Sequence, residues 1–241
     1  MRLLALESSS RLCSVALQVD GEVRLRCAAD DARNSEVLLP MVKALLAEAG
    51  LSLQSLDALA FGSGPGAFTG LRVACGAAQG LAFGADLPVV PVGTLEILAE
   101  STRGEVAVGS LLPVLAGLDA RMGEVYWGQL RATGDDWVLQ RGPLLCRPDA
   151  VPLPPASAGG WQAVGEAFVV HANVLAQRLG PIYTLDADHP LLPRADALAR
   201  LAASRFLRGL AVAPELAQPL YVRDKVAQTQ AERASARATQ A

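Results

Sequence analysis

The residues with the clearest potential for chemistry form one run: Phe61-Gly62-Ser63-Gly64-Pro65-Gly66-Ala67-Phe68-Thr69-Gly70-Leu71-Arg72. A glycine-rich turn between a strand and a helix leaves free backbone N–H groups at the helix start, which suits an anion or a closely packed backbone. The run lacks the Lys-Ser/Thr pair that ends a Walker loop, so nothing reaches a β- or γ-phosphate. Gly62, Gly64 and Ala67 fit a relaxed dinucleotide pattern, but Pro65 interrupts it. On physical grounds the run reads as a structural turn, with a phosphate cradle as the alternative. Other reactive groups are sparse. The two histidines, His171 and His189, stand eighteen residues apart, the first expected on a helix surface and the second in a loop before Pro190. No spacing suggests a Ser-His-Asp or Cys-His arrangement. Cys13, Cys27, Cys75 and Cys146 show no C-x-x-C pair and read as buried free thiols, which implies a reducing cytoplasm.

The elements that would position these groups can be traced along the chain. Leu3 to Leu6 reads as a strand, Glu7 to Arg11 as a polar turn, and Leu12 to Val19 as a strand with one buried face. Asp20-Gly21 is a hairpin signal, and Glu22 to Cys27 returns, so the opening is a three-stranded meander. A helix follows to Ala49, with Ser35 as its expected cap, Pro40 kinking or delaying its start and Gly50 as its stop. Leu38, Leu39, Met41, Val42, Leu45, Leu46 and Ala49 cover an arc of about 160° on it, wider than the roughly 100° a single sheet-facing stripe needs. Leu56 to Phe61 is a buried strand, Thr69 to Gly84 a helix, Pro88 to Val92 a strand, and Thr94 to Ser101 a short helix. In the second helix Gly76, Gly80 and Gly84 fall on one face among alanines. Each glycine costs about 1 kcal/mol against alanine, so the stripe needs a reason: close packing inside the chain, or a patch for another protein.

A composition break near Arg103-Gly104-Glu105 precedes a second start. Leu111 to Leu118 reaches Asp119, then strands are expected at Glu124 to Leu130 and Trp137 to Gln140, with a turn at Thr133-Gly134-Asp135. This repeats the order of residues 3 to 27, and Asp119 lies 112 residues after Glu7. A Pro-rich loop, a strand at Trp161 to Val164, and helices near Glu166 to Arg178 and Ala195 to Phe206 complete it. The expected division is an N-terminal lobe over 1–103, a C-terminal lobe over 104–224, and a disordered tail over 225–241 without large apolar residues. The 241 residues, 21 basic and 24 acidic, carry a net charge of −3 with no basic stripe, so a main task of gripping RNA is not expected. The apolar N-terminal run ends at Glu7, short of a signal peptide, and Leu71 to Phe83 is too short to span a bilayer. The expectation is a soluble cytoplasmic protein.

Ser63 to Val73 resembles the signature of the TsaB (YeaZ) family of tRNA threonylcarbamoyladenosine biosynthesis. Asp119-Ala120-Arg121-Met122-Gly123-Glu124-Val125-Tyr126-Trp127 and Tyr221-Val222-Arg223-Asp224-Lys225-Val226-Ala227 are similar to two further family segments. The resemblance implies an α/β, two-lobed, duplicated actin/Hsp70-like ATPase (ribonuclease H-like) fold, each lobe a mixed sheet that opens with a three-stranded antiparallel meander. ATP-using members of that architecture end the first strand of each lobe in an acidic residue with glycine turns. Here the matching stretches are Glu7-Ser8-Ser9-Ser10 and Asp119-Ala120-Arg121-Met122-Gly123, so Glu7 and Asp119 read as turn and capping residues. The metal-binding histidines of the catalytic relative TsaD correspond by position to Thr94 and Leu98, and leucine has no donor atom. No catalytic, cofactor-binding or metal-binding residue is therefore assigned.

The resemblance implies a non-catalytic subunit that binds and activates TsaD, together with the TsaE ATPase, for modification of the adenosine beside the tRNA anticodon. It also implies a homodimer through the same surface when TsaD is absent, mainly indirect contact with tRNA, and no membrane. The expected partner interface is Leu38, Leu39, Val42, Leu46, Arg72, Gly76, Gly80 and Phe83. The family-signature loop is Ser63, Gly64, Pro65, Gly66, Thr69 and Gly70. A sugar-kinase-like phosphotransferase and a glycoprotease-type metallopeptidase are the alternatives.

Overall fold

The computed structural model describes residues 1–29, 33–103, 112–157, 159–185 and 192–223. The expected tail, the composition break beyond Arg103, and His189 lie outside them. The chain opens with β1 (Arg2–Glu7), β2 (Ser14–Val19) and β3 (Glu22–Cys27), an antiparallel meander in which Val19 pairs with Glu22. Asp20 and Gly21 both have positive φ, 50° and 95°, as the tightest hairpin loops require. The helix α1 (Asn34–Ala49) follows, and Gly50 stops it in the left-handed region at φ 64°. Ser35 lies inside this helix and does not cap it; Arg33, at the N-cap position, provides no side-chain cap either, and α1 runs through Pro40. Next come β4 (Ala58–Gly64), α2 (Phe68–Ala85), β5 (Val89–Gly93) and α3 (Thr94–Ser101). The first sheet has the order β3-β2-β1-β4-β5, with β4 parallel to β1 and β5 parallel to β4.

The second half builds the same sheet again. Its strands are β6 (Val114–Arg121), β7 (Glu124–Thr133), β8 (Asp136–Cys146), β9 (Trp161–Val164) and β10 (Tyr183–Leu185). They lie in the order β10-β9-β6-β7-β8, with antiparallel and parallel pairs in the same places. The strand β8 runs past Gln140 to Cys146 because β7 is long enough to pair with it, and its edge position tolerates Pro143. The helix expected over 166–178 is broken at His171 into α4 (Ala167–Val170) and α5 (Ala172–Leu179). The last helix, α6 (Ala195–Leu207), closes the series. The chain thus has the duplicated, two-sheet actin/Hsp70-like fold.

The helices are distributed in three layers. Helices α1 and α2 cover the outer face of the first sheet, over Leu4, Leu6, Val15, Leu17 and Leu59. Helices α4 and α5 cover the outer face of the second, over Trp127, Trp161 and Leu115. Between the sheets, α3 and α6 share one core with residues of both. The strand β2 is therefore buried on both faces, not one. Ala5, Ala16, Ala58 and Ala60 leave room for α6, whose first backbone N–H (Ala195) donates to Ser14 Oγ at 3.0 Å. After α6 the chain turns back along the first sheet: Val212 pairs with Val89, and the carbonyl of Ala217 accepts from Gln79 Nε2 at 2.9 Å. Among the described residues no helix is long and apolar enough to cross a membrane.

Candidate functional site

Two places collect the residues singled out from the sequence: a cleft between the sheets, and the outer face of α1 and α2. In the cleft, the first turn is closed. Glu7, at the end of β1, is fully buried, and its Oε1 accepts from Ser9 N at 2.6 Å and Ser9 Oγ at 2.5 Å. Among the described residues its Oε2 has no partner. Burial pushes this carboxyl up from 4.5 to about 7, against the two bonds from Ser9, which lower it.

The glycine loop packs directly on that turn. A Cβ at Gly70 would stand 1.8 Å from the Ser8 carbonyl oxygen, and one at Gly66 would stand 2.2 Å from that of Ser9. Ala67 N donates to the Ser9 carbonyl at 2.6 Å, and Ser8 Oγ donates to the Gly70 carbonyl at 2.8 Å. Two carbonyl oxygens occupy the space in front of the helix start, where an anion would be repelled. The loop is a close-packed turn.

The second turn is more open. Asp119 Oδ1 accepts from Arg121 N at 3.1 Å and lies 3.2 Å from His171 Nε2, while Oδ2 pairs with Arg121 Nη1 at 3.1 Å. His171 is thus not a surface residue: the break between α4 and α5 turns it inward, and its side chain is only 16% exposed. Nothing in the spacing signalled this pair, because the break in the helix could not be read from residues 166–178. Glu166 lies 3.8 Å from Arg11, and burial raises its carboxyl above the usual range. Arg121 and Met122 both adopt the left-handed region, at φ 63° and 57°, and place side chains at the cleft mouth where phosphate turns carry glycine. Between the two turns remains a cleft of about 270 Å³.

A strap crosses that mouth. Leu220 N donates to the Ser63 carbonyl at 2.7 Å, and the Tyr221 ring packs on Phe68 at 5.4 Å. Arg223 donates to the Ala120 carbonyl at 3.0 Å and pairs with Glu124 at 2.8 Å. The three family-like segments therefore meet at one place.

Thr94 and Leu98 are both fully buried in α3, in the layer between the sheets. Among the described residues no three His, Cys, Asp or Glu side chains come together as metal ligands. All four cysteines are unbridged, and the Cys13 thiol is pushed up to about 12 by burial first and by Glu7 second. Cys27 is exposed, not buried, because it ends the edge strand β3.

The outer helical face corrects the sequence reading on α1 and narrows it on α2. Leu38 and Val42, expected at the surface, are 1% and 4% exposed and belong to the core, and Leu46 is half-buried. The arc beyond the sheet-facing stripe is Leu39, 50% exposed, with Pro40, Lys43, Ala44 and Ala47. On α2, a Cβ at Gly76, Gly80 or Gly84 would meet nothing within 4 Å, so close packing inside the chain does not explain the stripe. Phe83 beside it is 79% exposed. Arg72, also exposed, lies over the Phe68 ring at 4.0 Å. Ser63, Gly64 and Pro65 are buried under the strap, and Thr69 is exposed.

Two like sheets on either side of a shared helical layer, with a cleft between their strand ends, place the chain in the actin/Hsp70-like class. A family model described as "TsaD: tRNA N6-adenosine threonylcarbamoyltransferase" matches residues 31–231. The tRNA threonylcarbamoyladenosine biosynthesis protein TsaB of Escherichia coli is 37% identical over 94% of this chain and 96% of its own length. The TsaB of Haemophilus influenzae is 34% identical over 94% and 95%. The solved structure of YeaZ from Pseudomonas aeruginosa, 39% identical, superposes with a TM-score of 0.80 over 91% of this chain and 99% of that one. The chain belongs to the TsaB (YeaZ) family, on the TsaD/TsaB branch of that class.

Proposed function

We propose that this protein is a non-catalytic subunit of tRNA threonylcarbamoyladenosine synthesis. It binds the catalytic TsaD subunit through the outer face of α1 and α2, with the TsaE ATPase as the third component. Its relatives carry the name of that pathway. The observation that carries the reading is the glycine stripe of α2, which faces open space between exposed Phe83 and the exposed edge of α1. Glycine in a helix is unfavourable, and only a second backbone arriving from outside would use the room it leaves. Supporting it, the first turn of the cleft is filled by its own carbonyls, and the positions of the TsaD histidines hold buried Thr94 and Leu98. With a net charge of −3, contact with tRNA is mainly indirect, and the site of action is the cytoplasm.

Light scattering after size exclusion, on this chain alone and mixed with the TsaD of the same organism, tests the reading. The expected result is a self-associated dimer that converts to a one-to-one heterodimer. Gly80→Leu and Leu39→Glu should abolish both species while leaving the melting temperature near that of the parent. Leu39 is the position to charge, because Leu38 is buried. A parent chain that ignores TsaD, or variants that bind it as the parent does, would remove the interface. His171→Ala should leave the modification rate of the reconstituted system within about twofold. A larger loss would show chemistry in the cleft.

A further inference from the structure

The partner face carries an unbalanced charge. The only ionisable side chain of α2 is Arg72, apart from the buried Cys75. The carboxylates of α1 are already taken, Glu36 by Arg33 and Glu48 by Arg26. Among the described residues Arg72 forms no ion pair. Its guanidinium is held by aromatic rings instead: Phe68 at 4.0 Å, Tyr221 at 5.9 Å, and a bond from Nε to the Tyr221 hydroxyl at 3.1 Å.

That leaves Nη1 and Nη2 without a hydrogen-bond partner, a planar fork of donors on an exposed side chain. Tyr221 is itself fixed from both sides, since Leu220 is tied to the first half at Ser63 and Arg223 to the second at Ala120 and Glu124. The side chain is therefore set in one position before any partner arrives, which lowers the ordering cost of binding. A carboxylate meeting Arg72 would pair with a fork of donors already in place.

We propose that Arg72, held by Phe68 and Tyr221, is the polar anchor of the α1–α2 face and takes a carboxylate of the partner subunit through its two terminal nitrogens. The inference rests on the reading that TsaD binds this face. It makes the strap part of recognition, because the strap delivers the Tyr221 hydroxyl that orients the fork.

The test is calorimetric titration with the TsaD of the same organism, at low and at high salt, on folded parent, Arg72→Ala, Arg72→Lys, Tyr221→Phe and Gly80→Leu chains. Arg72→Ala should weaken binding ~30-fold at low salt and reduce its salt dependence, with Lys43 left as the cation on the α1 edge. Arg72→Lys should restore the salt dependence but only part of the affinity, because an ammonium lacks the fork. Tyr221→Phe should weaken binding ~3-fold, the effect of one lost orienting hydrogen bond. Arg72→Ala binding within about twofold of the parent, or a loss with unchanged salt dependence, overturns the anchor. If Gly80→Leu still fails to bind in that case, the face stands and only the anchor falls. If Gly80→Leu also binds as the parent does, both fall.

Discussion

Gly70 and Gly76 belong to the same helix and meet opposite surroundings. At Gly70, as at Gly62 and Gly66, the space a side chain would need is filled by the first turn of the cleft, a carbonyl oxygen in two cases and the Glu7 carboxylate in the third. At Gly76, Gly80 and Gly84 nothing lies within 4 Å. One end of α2 is glycine-rich because the chain closes on it, and the other although the chain leaves it bare. The same residue type thus marks an internal fit and an external vacancy, and only the second points to a partner.

The contrast can be broken by substitution. The largest effect is expected at Gly70→Ala, where the obstacle is backbone and cannot swing aside. Urea unfolding should show a loss of ~3 kcal/mol or more, and a loss below about 1 kcal/mol would mean the loop is not packed as described.

The next concerns the carboxyl beneath that loop. Glu7 titrates near 7 in the folded chain and near 4.5 when unfolded. Below the lower value both states hold the proton. Between the two the unfolded chain releases it first, so stability falls as pH rises, by ~3 kcal/mol once the upper value is passed. Glu7→Gln should remove that decline; parent and variant with parallel pH profiles of unfolding would contradict it. The smallest effect has the opposite sign. Gly76→Ala should stabilise the isolated chain by ~1 kcal/mol, read as a raised melting temperature, because a methyl group enters open space in a helix. Its affinity for TsaD should fall at the same time, and an unchanged affinity would leave the bare stripe without a use.

Much of the architecture was readable in the residues. Asp20-Gly21 located the first hairpin, Gly50 the end of α1, and the repeat of strand, acidic turn and strand after Asp119 foretold the second sheet. What escaped was contact between distant parts. Alternation in β2 signalled one buried face, but its alanine face is covered by a helix that begins 181 residues after Ser14. The arc on α1 is wider than one sheet-facing stripe needs, yet periodicity cannot say which edge faces outward, and Leu38 and Val42 lie in the core. The inward position of His171 is invisible to spacing because a helix break is a matter of tertiary packing, and only the break brings it to Asp119. The glycines of α2 gave a question and not its answer, since spacing is blind to what lies opposite.

The exchange of helices between the sheets has a consequence for synthesis. The ribosome delivers β1, β2, β4 and β5 early, but Ala5, Ala16, Ala58 and Ala60 find α6 only when Ala195–Leu207 has been made. Until then only α3 lies over part of the apolar inner wall of the first sheet, and the nascent first half cannot reach its final state alone. The two halves look like tandem units, yet they must mature together, so a chain cut between them yields fragments that need each other to fold.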